Sequence, residues 1–170
     1  MADRLIDALS WYGDASFEPS PGAKLAKLAM ALERLTMTTR RFSKKRFCRY
    51  VAILALDDDA DFESKYWTAY DFYNARSSVS HGCESQFEVN HWKRLRDAEA
   101  MIVNCIFRGT EVYSIVKSKS AAGPRSLRDF FAQQENRWVE TWKKLDDEMK
   151  ERDAEGQNAG LFAAPNDETV

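Results

Sequence analysis

The stretch NARSSVSHGC, residues 74–83, places an arginine five residues before a histidine, with small polar residues between and a glycine straight after. Arg76 stays charged and offers a planar fork of donors that matches a phosphate. His81 is of the residue type that can give or take a proton in either role. The pair therefore suits a site that handles a phosphate. The same residues also fit an ordinary helix end. Gly82 is then the left-handed residue after the last turn, His81 a last-turn histidine favoured by the helix dipole, and Arg76 a surface residue.

The element carrying Arg76 bears on the choice. Phe62, Tyr66, Ala69, Tyr70 and Tyr73 recur at helical spacing and predict a helix over about residues 60–80 with one buried stripe. Three residues past Tyr73 is Arg76, at the edge of that stripe. A guanidinium there is costly unless an anion or a carboxylate meets it. Asp71 on the same helix is one candidate, and Glu33 in ALERL is the other if a second helix packs here. Five residues along an ideal helix turn by about 140°, so Arg76 and His81 do not share a face. Convergence needs the reach of Arg76, a loosened last turn or a second subunit.

Helical spacing recurs along the rest of the chain. It predicts a first helix over 2–14, a second over about 22–38 on Leu25, Leu28, Leu32 and Leu35, and a third led by Lys44, Lys45 and Arg46. DDDAD, 57–61, closes the third and supplies an aspartate cap for the next. A long helix follows over about 88–118, where Gly109 bends it or admits a close neighbour, and a last one over about 125–152. No strand pattern or repeat is present. The expected fold is all-α, a helical bundle of about five to six helices, with one domain over 1–152 and a flexible acidic tail over 153–170.

Composition narrows the partners. The formal charge is −2, so no basic footprint covers the whole surface and any anion site must be local. RRFSKKRFCR, 40–49, is the strongest local run: Arg40, Arg41, Lys44, Lys45, Arg46 and Arg49, interleaved with Phe42 and Phe47. It reads either as a phosphate-tracking patch with stacking potential or as a solvated loop and helix edge. His91, beside Trp92, reads as a surface or packing histidine rather than a catalytic one. Cysteines 48, 83 and 105 fit neither a disulfide framework nor a zinc pattern, and no Gly-rich phosphate loop occurs. No metal or cofactor is expected. The charged N-terminus and the short apolar run YVAILAL predict a soluble cytoplasmic protein with no membrane partner.

YDFYNARSSVSHG, after a helix with ALERL and another with YVAILAL, resembles the HEPN superfamily over about residues 5–118, most closely its ApeA-like branch. The resemblance implies a dimeric α-helical bundle with an R-x4-6-H motif, here Arg76 and His81. It implies metal-independent RNA cleavage in toxin–antitoxin, antiphage or RNA-processing settings. RNA would be the substrate, and a protein antitoxin or regulator a possible partner. Arg76 would bind the scissile phosphate and His81 would be general acid or base. Ser77 and Ser80 would contact the phosphate or orient His81, and Glu33 and Asp71 would steady Arg76. A homodimer joining two RSSVSH ends would supply both an acid and a base. Two departures stand out. Ser77 occupies the place where many active members carry Asn, Asp or His, and Cys83 stands where one toxin branch carries a tyrosine that receives AMP. The alternative is a non-catalytic module that binds RNA or a nucleotide in the same pocket, or a purely structural helical partner.

Overall fold

The computed structural model describes residues 2–36, 43–56, 61–85, 87, 90–118 and 123–158, and every regular element among them is a helix. These are α1 (Ala2–Ser16), α2 (Pro21–Thr36), α3 (Lys44–Ala55), α4 (Phe62–Ser80), α5 (Asn90–Lys117), α6 (Leu127–Arg137) and α7 (Val139–Asn158). The all-α bundle is as expected. Its helices number seven among the described residues, because the single helix expected over 125–152 is two.

The packing is built around α5 and α2. Buried residues of α5 recur at alternating intervals of four and three: His91, Leu95, Ala98, Ile102, Cys105, Gly109 and Val112. That spacing keeps one narrow seam facing its neighbours over the helix length. α2 lies against α1, α3, α4 and α5, and α5 in turn touches α1, α3, α4 and α6. Leu25, Leu28, Leu32 and Leu35 of α2 are buried in this core. Each contributes roughly 1.5–3 kcal/mol relative to exposure. Gly109 admits a close approach, as expected: a Cβ there would lie 3.1 Å from Leu5 Cδ2 and 3.5 Å from Leu35 Cδ2.

Local signals set the helix starts. Pro21 begins α2 at the position where a missing N–H costs nothing, and the Ser20 hydroxyl accepts from the Ala23 amide at 3.3 Å. Ser43 caps α3 by accepting from the Arg46 amide at 3.3 Å. The expected aspartate cap of α4 takes another form. Asp61 is at the cap position, but its φ of −96° and ψ of 3° are not the extended backbone of a capping residue, and its carboxylate makes no cap bond. It pairs with Lys65 at 3.4 Å instead.

α6 and α7 dock against the outer side of α3 and α4. Tyr50 stacks on Phe131 with ring centroids 4.0 Å apart. Phe62 is stacked by Trp138 at 5.2 Å and met edge-on by Trp142 at 4.4 Å. The break between α6 and α7 brings both tryptophans onto Phe62. It lacks Gly or Pro, and the Trp142 indole N–H closes it by donating to the Glu135 carbonyl at 3.1 Å. Charges complete the interface. Buried Asp146 accepts from Arg49 and Lys45, and from the Tyr66 hydroxyl at 3.4 Å. Glu135 takes a second Arg49 nitrogen at 3.1 Å. Asp153 takes Lys44 at 2.6 Å and the Tyr70 hydroxyl at 2.7 Å. The tail expected from residue 153 onward is therefore helix up to Asn158, because Asp153 is an anchor.

Removing Asp146 leaves Arg49 and Lys45 without their main acceptor. Asp146→Ala should cost about 2–3 kcal/mol, below the ~3–5 of a fully buried broken pair because Arg49 keeps Glu135. Urea denaturation of the full chain measures this. The paired change Arg49→Met with Asp146→Leu should recover most of the loss.

Candidate active site

Arg76 and His81 lie in the last turns of α4. The helix ends in a full left-handed cap. Gly82 has φ of +71°. The Gly82 amide donates to the Val79 carbonyl at 3.2 Å, and the Cys83 amide to the Ser78 carbonyl at 2.8 Å. This pair of bonds satisfies carbonyls that the helix end would otherwise leave open. His81 is the C-cap residue, its amide donating to the Ser77 carbonyl at 2.9 Å. Its side chain is exposed, and among the described residues it forms no hydrogen bond or ion pair. Ser77 is half-buried and Ser80 is exposed.

Arg76 is half-buried and pairs with Glu33 of α2 at 3.4 Å. Glu33 is thus the carboxylate that answers the buried-edge position of Arg76. Asp71 is not: it points to a different side of α4. Partial desolvation raises its carboxyl pKa, and the charges that oppose that rise are Arg152 and Arg94. A separation of five residues turns Asp71 about 140° away from Arg76, so one helix cannot bring them together.

Tyr73 lies within electrostatic reach of the pair. Burial pushes its phenol up; Arg76 opposes the rise and Glu33 adds to it. Its ring sits 5.4 Å from that of Phe47 on α3. Reading Tyr73 only as part of the apolar stripe misses this, although its place one turn before Arg76 is the signal. The site thus presents a guanidinium held by a carboxylate and an exposed imidazole at the helix end.

The basic run divides. Lys44, Lys45 and Arg49 face the carboxylates of α6 and α7, and Lys44 also donates to the Asn74 side chain at 3.2 Å. A phosphate backbone can use these three only in competition with Asp146, Asp153 and Glu135. Arg46 is exposed, and Arg40 and Arg41 lie outside the described residues.

His91 is fully buried, as a packing histidine, at the first position of the α5 seam. Its ring Nε2 is 2.9 Å from the Ser85 carbonyl. Arg94 pairs with Glu84 at 2.9 Å. Both contacts fall on the turn after His81. All three cysteines are free; burial pushes the Cys48 and Cys105 thiols up, and Cys83 is exposed. Among the described residues no cluster of His, Cys, Asp and Glu has metal-site geometry, and no helix is long and apolar enough to cross a membrane.

A Cβ at position 82 would meet nothing within 4 Å, so Gly82→Ala tests backbone conformation alone. It should cost about 1–2 kcal/mol, the penalty for an L side chain in the left-handed region. Thermal and urea unfolding of the two proteins measure it.

Compared with family models, curated proteins and solved structures, this chain matches none, so the reading of its site rests on the geometry above and on the resemblance of its motif.

Proposed function

We propose that this chain is a metal-independent endoribonuclease of the HEPN type, acting as a homodimer on RNA. The observation that carries the reading is the pairing of Arg76 with Glu33 at 3.4 Å, just upstream of an exposed His81 on a capped turn. The carboxylate orients the guanidinium and offsets the cost of setting a cation at the edge of the core. The other face of the fork is left to a phosphate. An exposed imidazole can meet a substrate without a conformational change.

In this mechanism one His81 takes the proton of an RNA 2′-hydroxyl, and the oxygen attacks the adjacent phosphorus. His81 of the second copy protonates the departing 5′-oxygen. Arg76 meets the charge that grows on the phosphate oxygens. The products are a 2′,3′-cyclic phosphate and a free 5′-hydroxyl, with no atom left over. Ser77 and Ser80 contact the phosphate or orient His81 in the same reading. A cytoplasmic toxin–antitoxin or antiphage setting, with a protein regulator, belongs to the same reading.

Purified protein should cut single-stranded RNA in EDTA and leave 2′,3′-cyclic phosphate ends. His81→Ala should lower kcat by roughly 10²-fold or more. Its stability should change by about 1 kcal/mol or less, since the lost ring is exposed. Arg76→Lys, which keeps charge but loses the fork, should also impair cleavage. The rate should pass through a maximum with pH, since one His81 must be neutral and the other protonated. Undiminished cleavage by folded His81→Ala would move the activity to another site. Absence of cleavage with RNA or nucleotide binding intact would favour the binding-module reading, which the tie between Arg76 and Glu33 also suits.

A further inference from the structure

The turn after α4 has little apolar anchorage of its own. His81, Gly82, Cys83 and Ser85 are exposed, and Glu84 is half-buried. Its helix side is held by the left-handed cap. Among the described residues, its far side meets α5 through polar contacts. The His91 ring lies 2.9 Å from the Ser85 carbonyl, and Arg94 lies 2.9 Å from the Glu84 carboxylate. A carbonyl accepts only, so the proton of His91 sits on Nε2.

The choice of histidine at this place is informative. Position 91 opens the apolar seam of α5 and is fully buried. Nδ1 of the same ring is buried with no hydrogen-bond partner among the described residues. For packing alone, an apolar side chain of similar size would serve without leaving a polar atom unsatisfied. The imidazole contributes one thing an apolar residue cannot: an N–H aimed at the backbone of the turn. The Glu84 carboxylate lies 3.9 Å from that same nitrogen and is itself held by Arg94, so the two contacts act on adjacent residues of one segment.

We propose that His91 is a positioning residue for His81. Its Nε2–H bond to Ser85, reinforced by the Arg94–Glu84 pair, fixes the far end of the turn whose near end is the α4 cap. His81 is thereby held between two fixed points while its ring stays open to solvent. The proposal rests on the reading of His81 as the acid–base group. Proton transfer is sensitive to placement on the scale of one ångström, so a loosened turn lowers turnover more than substrate affinity.

Full-length wild type, His91→Leu and His91→Gln test it. Leucine keeps the apolar volume and loses the donor, and glutamine restores an N–H. Amide hydrogen exchange at Cys83 and Glu84, which both donate to the Ser78 carbonyl, reports the turn without any substrate. His91→Leu should speed exchange there by about tenfold while Ile102 and Cys105 in the middle of α5 keep their protection. On single-stranded RNA its kcat should fall roughly 10–100-fold with KM within about twofold, and His91→Gln should recover most of the loss. Arg94→Met, a change outside the core, should produce a smaller effect in the same direction and serves if His91→Leu does not fold. Unchanged exchange in folded His91→Leu overturns the clamp. Faster exchange with kcat unchanged overturns the positioning role, as does an equal kcat loss in His91→Gln. A wild type that cleaves no RNA overturns the ribonuclease reading alone, and the exchange measurements still decide whether the turn is clamped.

Discussion

The seam of α5 is the constraint on which the rest of the structure depends. Its alternating four and three spacing, from His91 to Val112, leaves one continuous apolar strip that several helices share. Both α2 and α4 pack on it and on each other. Glu33 meets Arg76 as a consequence. The pair itself is half-exposed with a separation of 3.4 Å, and such pairs contribute about 1 kcal/mol or less. It cannot hold two helices together; the apolar packing holds the helices and thereby places the charges. The candidate site is a by-product of core geometry, set at the end where α4 leaves the core.

A second constraint acts where α6 and α7 dock. α6 and α7 gain most of their docking energy from Phe131, Trp142, Leu145 and Met149, all buried. Apolar contact alone would tolerate a rotation or a slip of α7. Asp146 and Asp153 remove that freedom, since each meets named donors on α3 and α4. The cations that give residues 40–49 their basic character are therefore largely structural on the α3 side. A net charge of −2 is consistent with a protein that carries no basic footprint over its whole surface.

Much of this was legible in the sequence. The 3.6-residue spacing alone placed the first five helices within a few residues. Gly82 after a histidine marked the end of α4, and its φ of +71° is what a glycine in that position is for. The edge position of Arg76 called for an anion or a carboxylate, and Glu33 in ALERL was one of its two candidates beside Asp71. Other features were not legible for physical reasons. The break between α6 and α7 lacks Gly and Pro, so no local signal marks the place where both tryptophans reach Phe62. Asp153 looked like the start of a frayed acidic tail, since its partners Lys44 and Tyr70 are remote in the chain. For His91 the packing alternative holds; only the partner of its ring, the Ser85 carbonyl, was out of view.

By itself the sequence determined local matters: which segments are helical, where they stop, which faces are apolar, and which residue types can hold a phosphate or move a proton. These follow from backbone propensity and from the period of a helix, both of which act over a few neighbouring residues. Tertiary structure alone decided the pairings. It chose Glu33 over Asp71 for Arg76, turned the basic run toward Asp146 and Asp153, and aimed the buried ring of His91 at the turn that carries His81. A charge can be satisfied by any opposite charge within reach, and reach depends on how whole helices pack, which no local spacing encodes.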